Sequence, residues 1–153
     1  MISDRYTLRR WSVRHAFALQ LFYRAFERLL IRLDGLFRRA GYGRLERPAA
    51  ALERAMKGVL FDCRMCGQCI LSSTGMSCPM TCPKQLRNGP CGGVRPDGTC
   101  EVRPAMRCAW VAAHEGALRM KGADGLRQRQ PALDHRLSGR SSWLAVARER
   151  PRA

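Results

Sequence analysis

Residues 62–111 read DCRMCGQCILSSTGMSCPMTCPKQLRNGPCGGVRPDGTCEVRPAMRCAWV and contain all eight cysteines of the 153-residue chain. In order they are Cys63, Cys66, Cys69, Cys78, Cys82, Cys91, Cys100 and Cys108, a pattern C-x2-C-x2-C-x8-C-x3-C-x8-C-x8-C-x7-C. A segment of this size is close to the limit, about 40 residues, below which disulfides, metals or a partner usually supply stability. Beyond Cys69 the residue types are those of turns: Gly75, Cys78-Pro79, Cys82-Pro83, Asn88-Gly89-Pro90, Gly92-Gly93 and Asp97-Gly98. Long regular elements are not expected there. The core must come from whatever the cysteines hold.

The opening residues, MISDRYTLRRWSVRH, meet charge before any apolar run develops, so no secretory signal is read and a cytoplasmic location is expected. Inside a cell, this cysteine density reads as metal binding rather than as a disulfide framework. Three cysteines at i, i+3 and i+6 can direct three thiolates at one cubane. The bacterial ferredoxin run C-x2-C-x2-C-x3-C-P uses that spacing. Cys63, Cys66 and Cys69 repeat it, Cys78-Pro79 and Cys82-Pro83 add Cys-Pro pairs, and eight cysteines divide into two sets of four. Gly67, Gly89, Gly92 and Gly93 allow backbone amides to approach cluster sulfurs closely. Zinc is the alternative, since four-cysteine zinc sites are commonly built from two C-x2-C pairs. Here C-x2-C occurs at the triplet alone, and His15, His114 and His135 lie outside the box. Spacing favours iron–sulfur and leaves zinc open.

The formal net charge is +16, with lysine only at Lys57, Lys84 and Lys121. The basic residues are spread over both flanks and interleaved with Asp34, Glu46, Glu53 and Asp124, and no base-stacking strand motif is present. Solvated faces or docking on an acidic protein partner explain them better than nucleic acid does. The longest uncharged run, His15 to Tyr23, falls short of the roughly 20 residues that span a bilayer. No transmembrane segment is expected. Nor does the chain carry a phosphate-binding loop, a nucleophile elbow or paired carboxylates, so no catalytic residue is assigned.

Upstream, Phe22, Phe26, Leu29, Leu33 and Leu36 step by 4, 3, 4 and 3, which predicts one amphipathic stripe on a helix across 11–39. Gly41 and Gly43 break it, and Pro48 suits the start of a second helix whose stripe is Leu45, Ala49, Leu52, Met56 and Val59. Both stripes are expected to cover the cysteine knot or a partner subunit. Downstream, Trp110 to Met120 reads as a short helix with Trp110, Val111, Ala117 and Leu118 on its buried side. Ser141 or Ser142 caps a last helix, WLAVARER, which places Trp143 and Leu144 exposed on the tail. The expected fold is small and α-helical to irregular, with a metal- or cluster-stabilised Cys-rich core and amphipathic flanking helices. Its parts are an Arg-rich helical extension (1–44), a Cys-rich cluster-binding domain (45–120) and a polar tail with a short terminal helix (121–153).

The elements CGQC, CP-x2-CPK, RNGPCGG and CEV, in this combination across about residues 55–112, closely resemble the Cys-rich module known as the methylenetetrahydrofolate reductase C-terminal domain. The resemblance implies a small iron–sulfur subunit beside a separate flavin-binding barrel subunit. In that family the barrel binds FMN and the folate and performs the reduction. It implies two [4Fe-4S] clusters, or zinc as the alternative, held by Cys63, Cys66, Cys69, Cys78, Cys82, Cys91, Cys100 and Cys108. It further implies an accessory electron-transfer role in a hetero-oligomer, with no folate or flavin site of its own.

Overall fold

Among the described residues four α-helices precede the cysteine box and two follow it. They are α1 (Ser3–Arg14), α2 (Ala16–Arg32), α3 (Asp34–Ala40), α4 (Tyr42–Phe61), α5 (Ala109–Ala117) and α6 (Ser142–Glu149). The computed structural model describes residues 3–121 and 123–149. Among the described residues no β-strand forms, and the box contains a short 3₁₀ turn at Pro79–Thr81 and one isolated bridge, Thr99 to Arg107. The turn-rich reading of the box holds. No helix among the described residues is long and apolar enough to cross a membrane.

The flanking helices differ from expectation in two ways. The single helix expected across 11–39 bends at His15 (φ −100°, ψ 23°), which seats the fully buried Ala16 against the core, and breaks again after Leu33. The second helix starts at Tyr42, behind Gly41 at φ 86°, and carries Pro48 within it. Pro48 is exposed, so the amide bond it omits is lost on the solvent side.

The larger difference is which face is buried. On α2 and α3 the inward line is Ala16, Gln20, Glu27, Leu30 and Asp34, whereas Phe22, Leu29 and Leu36 face solvent. On α4 it is Ala50, Glu53, Lys57 and Phe61, with Leu52, Met56 and Val59 outside. Polar groups go inside because each meets a partner there. Gln20 holds the backbone of Lys121 in both directions, its amide donating to the Lys121 carbonyl at 3.1 Å and its oxygen accepting from the Lys121 N–H at 3.2 Å. Glu53 and Lys57 pair at 2.7 Å.

The tail is also reassigned. Trp143 and Leu144 are buried, not exposed, because α6 packs across α2 and α4. Phe26 meets Trp143 edge to face at 5.0 Å. Ser141 is the cap, its Oγ accepting from the Leu144 N–H at 3.4 Å. Arg150 and Pro151, the end of the expected helix and its stop, lie outside the described residues. In α5, Trp110 and Ala117 face inward as expected, but Leu118 is exposed. This helix lies against the turn at Gly75. That glycine has φ 58°, and a Cβ on it or on Gly116 would strike the facing backbone.

Candidate metal centres

Helix α4 delivers the first cysteines. Asp62, at its C-terminus, takes a left-handed conformation (φ 50°, ψ 47°), and the N–H groups of Asp62 and Cys63 return to the carbonyls of Gly58 and Lys57. The Asp62 bond, from a left-handed residue to the carbonyl four residues back, is an αL close of the helix. It turns the chain under the helix end. Met65 (φ 49°) and Gly67 (φ 74°) repeat the left-handed turn. Leu137 packs on the space where a Cβ of residue 67 would stand.

These turns bring Cys63, Cys66, Cys69 and Cys78 to one small cavity, lined also by Met65, Met80, Lys57 and Arg87. Cys82, Cys91, Cys100 and Cys108 line a second, with Val94, Met106, Trp110 and Glu101. Every cysteine singled out in the sequence falls in one of two quartets, divided between Cys78 and Cys82. All eight are free thiols. The three histidines are exposed and line neither cavity.

Burial pushes the Cys63 thiol up to about 11, against a pull in the other direction from the Met65 N–H, 3.3 Å from its sulfur. Burial also pushes Cys78 up to about 12, assisted by the neighbouring Cys63 and Cys69. Left to themselves these groups keep their protons. Thiolates here need cations close by.

Two are built in. Lys57 is buried, and its Nζ donates to Glu53 at 2.7 Å and to Ser142 Oγ at 2.9 Å, lying 5.6 Å from the Tyr23 ring centre and 5.3 Å from that of Trp143. Burial lowers the Lys57 pKa, but the charges of Cys69 and Glu53 outweigh it and hold the ammonium. Arg87 is buried too. Its guanidinium reaches Cys66 Sγ at 3.9 Å and the Gln68 carbonyl at 3.4 Å, while its Nε is buried with no partner among the described residues. In the second quartet Cys82, Cys100 and Cys108 are buried. Cys91 is exposed, and its thiol donates to Glu101 at 3.3 Å, beside a Lys84–Glu101 ion pair.

Soft sulfur donors, backbone N–H groups and buried cations fit a thiolate-held centre carrying net negative charge. Zinc would need four ligands within about 2.3 Å of one point. Among the described residues no group of three or more His, Cys, Asp or Glu side chains stands ready to hold a metal ion, zinc and cluster iron alike. The quartets line cavity walls instead. Sequence reasoning missed the supporting groups Glu53, Lys57, Arg87 and Ser142. The Glu53–Lys57 spacing of i, i+4 carries a signal, but exposed and buried pairs share it.

A family model described as methylene-tetrahydrofolate reductase C terminal matches residues 42–136, from the start of α4 past both quartets. The chain belongs to this family. The matched stretch extends on both sides of the motif-bearing residues 55–112 and leaves α1 to α3 and α6 outside it. No curated protein and no solved structure matches the chain. Within this methylene-tetrahydrofolate reductase module lie all eight cysteines together with Glu53, Lys57 and Arg87. Ser142, which also bonds Lys57, belongs to the added α6.

Proposed function

We propose that the chain is the accessory iron–sulfur subunit of a methylenetetrahydrofolate reductase complex. It relays electrons to or from the FMN of a separate barrel subunit that reduces 5,10-methylenetetrahydrofolate to 5-methyltetrahydrofolate. The observation that carries this reading is the partition of the eight cysteines into two cavity-lining quartets in a chain of this family. Cys63, Cys66, Cys69 and Cys78 hold one [4Fe-4S] cluster, and Cys82, Cys91, Cys100 and Cys108 the other. Such clusters supply one-electron chemistry. Lys57, Arg87 and the Met65 amide balance the negative charge of the first, and the exposed Cys91 brings the second to the surface a partner can reach.

Iron and acid-labile sulfide in anaerobically purified protein should each come to about eight per chain, as two four-iron clusters require. Cys66→Ala should remove one cluster and Cys100→Ala the other, each leaving roughly half the iron. Zinc without sulfide would replace the electron relay by a structural zinc module that stabilises a flavoprotein. Loss of both clusters, or of neither, in both variants would overturn the quartet assignment.

A further inference from the structure

Helix α1 packs against α5, and between them lies a cavity of about 230 Å³.

We propose that this cavity binds a phosphate group, either a free phosphate or diphosphate or the diphosphate of a nucleotide. Its floor is apolar and buried, made by Val13 and Ala112. Among the described residues, its rim carries five arginines, Arg9, Arg10, Arg14, Arg107 and Arg119, against one carboxylate, Glu115. Residues 9, 10, 13 and 14 share one face of α1. Arg9 is buried, and its guanidinium donates to Thr81 Oγ1 at 3.2 Å and to the Arg107 carbonyl at 3.1 Å. It therefore fixes α1 against the segments that carry Cys82 and Cys108.

Arg107 pairs with the Glu115 carboxylate, and Arg119 donates to the Glu115 carbonyl at 2.6 Å, which leaves its other N–H groups for a ligand. The Arg14 guanidinium makes no hydrogen bond or ion pair among the described residues. Guanidinium forks match phosphate oxygens two at a time, and a concave wall of one sign concentrates the field. Several forks around one cavity call for an anion with several oxygens and more than one charge. Enclosure between two helices favours a compact group over a strand of nucleic acid. Glu115 is the internal competitor, and the site stands whichever metal the quartets hold.

The test is calorimetric titration of the full chain, purified anaerobically, with pyrophosphate at fixed ionic strength, and with citrate as a tricarboxylate control. One pyrophosphate should bind per chain, more tightly than citrate. Arg14→Gln and Arg119→Gln, both at exposed positions, should each raise Kd by about tenfold, the loss of one charge-assisted contact. Glu115→Gln should lower it. Binding of ADP tighter than pyrophosphate would assign the diphosphate to a nucleotide, and equal binding to a free phosphate; either supports the site. Absence of pyrophosphate binding, equal binding of citrate, or indifference to both arginine variants overturns it. So does a pair of variants that lose an acidic protein partner while still binding pyrophosphate unchanged.

Discussion

At the scale of single residues, the Glu53 carboxylate organises the interior beside the first quartet. It accepts from Lys57 Nζ, from the hydroxyls of Ser141 and Ser142, and from the Trp143 N–H. Removing one partner of a buried ion pair leaves the other charge uncompensated, at about 3–5 kcal/mol. We expect Glu53→Ala to destabilise the holo protein by that amount in chemical denaturation. Glu53→Ala combined with Lys57→Ala should cost less than the sum of the two single changes. Strict additivity would mean that the pair is not coupled and that the hydroxyls alone hold α6. The cysteines were legible in the sequence because residue type and spacing carry their chemistry directly. Glu53 and Lys57 were not, because an i, i+4 pair looks the same whether water or protein surrounds it.

At the scale of elements, α5 is held by a close backbone approach that tolerates no side chain. A Cβ on Gly116 would strike the Gly75 carbonyl, and Gly75 itself sits at φ 58°. Overpacking a tight site typically costs about 1–3 kcal/mol. Gly116→Ala should fall at or above the top of that range, since backbone rather than a flexible side chain is in the way. Thermal melting of the variant checks it, and an unchanged midpoint would show that α5 is free to shift. The helices of the flanks were legible as helices from their period, and their outward faces were not. Periodicity locates an apolar stripe but does not say whether it turns toward this chain's own core. The burial of Trp143 escaped for a related reason: its docking site is built by Phe26, Leu30 and Lys57, far from it in sequence.

At the scale of the whole molecule, the amphipathic helices present apolar residues to solvent while burying charged ones. Phe22 is 63 % exposed, Leu29 51 %, Leu36 59 %, Leu52 58 % and Val59 55 %. Under the proposed function these residues are the candidate association surface, as large apolar patches commonly are. The proposed flavin-binding barrel subunit is the occupant to test. Phe22→Asp with Leu29→Asp alters two exposed positions, so the chain should keep its melting temperature and metal content. It should, however, no longer co-elute with a co-expressed barrel subunit in size-exclusion chromatography. Phe26→Asp should instead unfold the protein, because that ring packs on Trp143. Arg24→Gln with Arg28→Gln should weaken association less, since exposed charges contribute little where apolar contact dominates. Co-elution that survives the double aspartate change would move the interface off α2. A wild-type chain that runs as a monodisperse monomer and ignores the flavoprotein would remove the electron acceptor from the proposal altogether.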